Sequence, residues 1–162
     1  MTLTNAAELT QDDLAKRVLH DFCPRFAPLG RVVWLSDGGA RAAHVDKRWL
    51  RRLRLSAADA AKLPNIIVDD PKPHRLWLID LARSGHPTTA EKRAAMKASL
   101  RRADAHVLFV TALRNHRQFP RFISDALWGT VVWFADEPEH VVIFDDAPDP
   151  RLLGPSTKRS ES

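Results

Sequence analysis

The sequence predicts an α/β domain with a mixed central sheet flanked by helices, and three observations carry that prediction. Apolar runs of strand length recur along the chain, among them Arg31-Val32-Val33-Trp34-Leu35, Leu63-Pro64-Asn65-Ile66-Ile67-Val68, Arg75-Leu76-Trp77-Leu78-Ile79-Asp80 and Ala105-His106-Val107-Leu108-Phe109-Val110-Thr111. The last of these is almost unbroken, as expected of a central strand covered on both faces. Segments with apolar residues at helical spacing separate the runs. The resulting order of helix, strand, helix, two strands, helix, strand, helix and two strands is that of a layered α/β fold.

Taken in order, residues 10–22 place Leu14, Val18 and Leu19 on one side of a helix, with Asp12 and Asp13 near its start and Pro24 as its stop. The strand 31–35 ends at Ser36-Asp37-Gly38-Gly39, where Asp37 is either an Asx-type turn residue or a polar group at the rim of a site. Over 45–55, Val45, Trp49, Leu50 and Leu53 fall on one side of a helix while Lys47, Arg48, Arg51, Arg52 and Arg54 surround the rest. Pro71 and Pro73 limit the connection between the two strands that follow. Thr88 and Glu91 have the spacing of a capping box, opening a helix toward Arg102 with Lys92, Arg93, Lys97 and Arg101 on its exposed side. A helix over 119–127 and a strand pair around Asp136-Glu137-Pro138-Glu139 complete the prediction, with Trp128 and Trp133 assigned to core or interface. Residues 1–9 are expected to be an N-terminal tail, 10–155 the domain, and 156–162 a disordered tail.

A chain of 162 residues is long enough for one real core. Its apolar runs fall far short of the roughly 20 residues of a membrane span. The start, Met1-Thr2-Leu3-Thr4-Asn5, lacks the form of a signal peptide, and Cys23 has no second cysteine to pair with, so a reducing cytoplasm is the expected location. The same shortage of cysteine argues against zinc. Charge is unevenly placed. Residues 41–54 hold six Lys or Arg against one Asp, and residues 130–150 hold six Asp or Glu and no Lys or Arg. A basic face suits a polyanion and an acidic end is repelled by one, so the distribution favours one docking orientation on nucleic acid.

Asp80 is the chemically unusual residue, because a carboxylate closing a hydrophobic strand needs solvent, a cation such as Arg83, or a metal. Pro64-Asn65, fourteen intervening residues and Asp80-Leu81-Ala82 share the layout of the PD-(D/E)xK nuclease core, in which acidic side chains on adjacent strands hold magnesium beside a phosphate.

The surrounding segments resemble the C-terminal catalytic half of the BsuBI/PstI family of type II restriction endonucleases. The resemblance is carried by Phe22-Cys23-Pro24-Arg25-Phe26, Leu35-Ser36-Asp37-Gly38-Gly39-Ala40-Arg41, Leu63-Pro64-Asn65-Ile66-Ile67 and Trp77-Leu78-Ile79-Asp80. It continues through Ser84 to Pro87 with Lys92-Arg93, then Val110-Thr111-Ala112, Ala126-Leu127-Trp128, Val132-Trp133-Phe134-Ala135-Asp136-Glu137-Pro138-Glu139-His140 and Leu153-Gly154-Pro155. Asn65 stands where the family has Asp, Asp80 where it has Glu, and Arg41 where it has Lys. Ala82 occupies the position of the wider superfamily's lysine.

The resemblance implies a restriction-endonuclease-like, PD-(D/E)xK fold and a magnesium-dependent endonuclease-like domain that cleaves double-stranded DNA in a restriction-modification setting. Asp80 would be the main metal ligand, the Leu81 carbonyl a second, and Asn65 a neutral amide oxygen, while Lys92 replaces the missing lysine as the catalytic cation. Asp69 is the fallback second carboxylate, although at about 3.3 Å per residue it lies roughly 13 Å beyond Asn65. Arg41, Lys47, Arg48, Arg51, Arg52 and Arg93 are the expected DNA contacts. The alternatives are a DNA-binding remnant with weakened catalysis, favoured by Asn65 and Ala82, and an interaction subunit with a separate DNA-reading partner. A homodimer and a neighbouring methyltransferase gene are further implications of the resemblance.

Overall fold

A computed structural model describes residues 1–36, 42–56, 59, 62–72, 74–82, 88–122 and 128–144. Its centre is a seven-stranded mixed sheet in the order β2-β1-β3-β4-β5-β6-β7. The strands are β1 (Arg31–Leu35), β2 (His44–Val45), β3 (Ile66–Pro71), β4 (His74–Leu81), β5 (His106–Leu113), β6 (Thr130–Phe134) and β7 (Val141–Phe144). β4, β5 and β6 run parallel, and every other neighbouring pair is antiparallel. The six consecutive pairs from Ile66↔Ile79 to Pro71↔His74 fix the β3–β4 register.

One face of the sheet is covered by α1 (Leu3–Glu8), α2 (Asp13–Arg17), a π-helical turn (Val18–Phe22) and α3 (Cys23–Phe26). Leu14, Leu19, Phe22 and Cys23 pack there against Val68, Trp77, Ile79 and Trp133. The other face carries α4 (Lys47–Leu53) and α5 (Ala90–Ser99), whose Trp49, Leu53 and Met96 meet Val33, Ile67, Leu76 and Leu78. α6 (Phe119–Phe122) packs Phe122 with Leu113, Val132 and Phe134, and the remainder of the helix expected over 119–127 lies outside the described residues.

Three predicted boundaries shift for physical reasons. The expected N-terminal tail is ordered as α1: Ala6 and Ala7 are buried, and the Met1 carbonyl accepts from Val32 N–H at 3.1 Å. Pro24 does not end the second helical segment. The π-turn before it moves the Cys23 N–H bond back to the Val18 carbonyl, and Pro24 then begins a fresh turn in which its missing N–H is tolerated. The helix predicted from Thr88 instead has Thr89 as its N-cap, with Thr89 Oγ1 accepting from Lys92 N–H at 3.3 Å. That one-residue displacement has consequences at the site.

The sheet leaves no room for a side chain at Gly30. A methyl group there would stand 2.5 Å from Val68 Cγ1 and 2.8 Å from the Ala27 carbonyl. Gly30→Ala is therefore expected to destabilise the domain by about 1–3 kcal/mol, the ordinary cost of overpacking, and urea denaturation followed by tryptophan fluorescence checks it.

Candidate active site

β3 and β4 bring the two motif residues together. Extending their antiparallel register one pair beyond Ile66↔Ile79 sets Asn65 opposite Asp80, on the face that carries Ile67, Leu78 and α5. A β-bulge between Val32 and Trp34 puts consecutive Val33 and Trp34 on that same face. Trp34 Nε1–H then donates to the Pro64 carbonyl at 2.9 Å and fixes the approach to Asn65.

Asn65 is held at both ends of its amide. Its Oδ1 accepts from Leu81 N–H at 2.9 Å, and its Nδ2 donates to the Ser36 carbonyl at 3.4 Å. The Asn65 carbonyl in turn accepts from Ser36 N–H at 2.7 Å. This side chain ties the ends of β1, β3 and β4 to one another. Leu81, whose carbonyl is an expected metal ligand, holds Asn65 through its N–H.

Asp80 is anchored by a residue the sequence reading assigned elsewhere. Thr88, freed from capping, donates to Asp80 Oδ2 through its Oγ1 at 2.5 Å and its backbone N–H at 3.2 Å. Asn65, Asp80 and Thr88 line an open cavity of about 600 Å³ together with Lys62, Glu91 and Lys92 from the approach to β3 and the first turn of α5. Two carboxylates, two ammonium groups, an amide and a hydroxyl thus share one cavity at the mouth of the sheet. Lys92 is where the resemblance places its cation. Lys62 and Glu91 enter the site only through the fold, although Lys62 stands directly before Leu63-Pro64 in the sequence.

Arg93 corrects an expectation. Predicted as an exposed DNA contact, it is only 7% exposed. Its Nη1 donates to the Thr88 carbonyl at 2.5 Å and its Nη2 to the Trp128 carbonyl at 2.7 Å. Burial pushes its guanidinium down from the ordinary range, and the Asp80 carboxylate pulls it back up. Arg93 therefore secures the segment that secures Asp80, and it is not available to a duplex. Trp128 is 55% exposed while Trp133 is fully buried, so the two tryptophans assigned jointly to core or interface occupy different environments.

The fallback Asp69 is excluded from the cavity. It lies on the far part of β3, opposite Leu76, with Arg31, Arg52 and His74 at 3.7, 3.8 and 3.4 Å. Lys47, Arg48, Arg51 and Arg52 are exposed on α4, whose N-cap Asp46 accepts from Arg48 and Trp49 N–H at 3.0 Å each. Those bonds hold the Asp46 carboxyl below its usual range. α4 packs on the Asp80 face of the sheet without lining the cavity, and Arg52 reaches Asp69. Arg41, Asp37 and Arg83 lie outside the described residues, as does the predicted tail 156–162.

The mixed seven-stranded sheet with this site at the end of β3 and β4 is a restriction-endonuclease-like α/β fold, matching the structure of SdaI restriction endonuclease with a TM-score of 0.74 and 26% identity over 92% of this chain and 46% of that one. Residues 4–147 match the BsuBI/PstI restriction endonuclease domain, and the chain belongs to that family. It is 29% identical over 143 residues to the type II restriction enzyme BsuBI of Bacillus subtilis, covering 88% of this chain and 44% of that protein. The chain thus spans a little under half the length of the relatives it matches. Among the described residues, no helix is long and apolar enough to cross a membrane.

Proposed function

We propose that this domain hydrolyses phosphodiester bonds of double-stranded DNA as a magnesium-dependent nuclease of a type II restriction-modification system. The observation that carries the reading is the pairing of Asp80 with Asn65 at the end of β3 and β4, beside Lys92, on the fold of a restriction-endonuclease family. The site's donors suit a hard cation: carboxylate oxygens are the protein ligands magnesium prefers, and among the described residues no thiol or imidazole lines the cavity. Asp80 would hold the ion, with Thr88 keeping its carboxylate in one orientation. When bound, magnesium activates water and offsets charge on the phosphate.

The chain's own residues supply the remainder. Lys92, at the first turn of α5, would orient the scissile phosphate and stabilise the negative charge that develops on it. Lys62 adds a second cation in the same cavity. Arg48 and Arg51 on α4 would contact phosphates farther along the duplex, giving affinity without sequence information. The double variant Arg48→Ala/Arg51→Ala is expected to reduce the slope of log K against log salt by about 0.9 per lost phosphate contact, as measured by fluorescence anisotropy on a labelled duplex. A folded double variant with an unchanged slope would remove α4 from the interface.

A gel shift of the wild-type chain at low salt, without metal and then with magnesium, tests the proposal. Retention followed by cleavage supports the nuclease; retention alone at every magnesium concentration supports the DNA-binding alternative that Asn65 favours. The absence of any retained complex would support a subunit dependent on a separate DNA-reading partner. Cytoplasmic location and a homodimer go with the proposal, since a two-fold assembly matches a palindromic target.

A further inference from the structure

We infer that Glu91 provides the second negative charge of the metal site, replacing the strand carboxylate that Asn65 lacks. The inference rests on the proposed metal-dependent nuclease. Magnesium gives up its hydration reluctantly and favours anionic oxygen, so a site with Asp80 as its one carboxylate would hold the ion weakly. Asn65 is poorly placed to compensate, because both ends of its amide are already bound. Its Oδ1 takes the Leu81 N–H, and its Nδ2 faces the Ser36 carbonyl. A carboxylate at position 65 would set oxygen against that carbonyl oxygen, where the amide now donates.

The cavity contains another carboxylate, and local helix geometry directs it there. In a capping box starting at Thr88, Glu91 would reach back to the Thr88 N–H. That N–H instead donates to Asp80 Oδ2, and the cap has moved to Thr89. Glu91 becomes the second residue of α5, released from capping, and it lines the cavity with Asp80, Asn65 and Lys92. No described residue forms a hydrogen bond or ion pair with its side chain, although Lys62 and Lys92 line the same cavity. The second charge has thus passed from the strand to the helix.

Isothermal titration of the full chain with Mn²⁺ alone, followed by Mn²⁺ EPR, tests this without reference to catalysis. Glu91→Gln is expected to weaken Mn²⁺ binding about tenfold or more, and Asn65→Asp to leave it within about threefold of wild type. Asp80→Asn serves as the control for the underlying reading. Loss of affinity in Asp80→Asn with none in Glu91→Gln overturns the inference and leaves the metal site standing. Unchanged affinity in both variants overturns the inference and the metal site together. A marked gain in Asn65→Asp would show that the missing charge belongs on β3 and would also overturn it.

Discussion

Asp80→Asn is expected to lower the rate of DNA cleavage by about a thousandfold or more while leaving the fold in place, because it removes the charge that would hold the ion without removing the acceptor that Thr88 uses. The Asn amide oxygen can still receive the Thr88 hydroxyl and N–H, so Thr88 should keep its position. Asp80→Ala is the less informative variant. It would leave two Thr88 donors without their partner and withdraw the carboxylate that favours the charged form of buried Arg93. Thermal unfolding of both variants separates the chemical effect from the structural one. The Asn variant should unfold near the wild type, and the Ala variant at a lower temperature.

Arg93→Met has the largest expected effect on stability. The substitution preserves much of the buried stem but deletes the two charge-assisted bonds to the Thr88 and Trp128 carbonyls, leaving both acceptors to find water or remain unsatisfied. A loss of about 3 kcal/mol is expected from urea denaturation, since bonds to a charged group are each worth about 1.5–3 kcal/mol and partners acting as a unit do not add fully. Were Arg93 the exposed DNA contact that its neighbours suggest, the same variant would alter the salt dependence of binding and leave stability almost unchanged. The two results are opposite in kind, so unfolding and anisotropy on one protein sample decide between them.

Much of the architecture was legible because its signals are local. Runs such as Val107-Leu108-Phe109-Val110 have no exposed face to be polar on, and β5 lies between two parallel partners as that pattern requires. The Asn65–Asp80 pairing was legible from two runs of strand length and a connection too short for a crossover. The roles of Arg93 and Thr88 were not. Lys92 and Arg93 are adjacent cations on one helix, and only a 100° step around the axis sends one into the cavity and the other onto the Thr88 and Trp128 carbonyls. Likewise, Thr88 and Thr89 are equally good N-caps by residue type, and the choice between them is made by Asp80, eight residues earlier and on another element. The displaced cap is what gives Asp80 its anchor and Glu91 its freedom. Asp69 illustrates the converse case, since alternation put it on the correct face but the far end of β3, where three basic groups surround it.

The most direct test of a metal-dependent nuclease centred on Asp80 is the conversion of supercoiled plasmid by the wild-type chain and by Asp80→Asn, prepared identically and assayed with magnesium or with EDTA. Nicked or linear product from the wild type in magnesium alone, with none from the variant, is the predicted result. Equal conversion by both proteins, or no conversion by the wild type at any magnesium or manganese concentration, would contradict it.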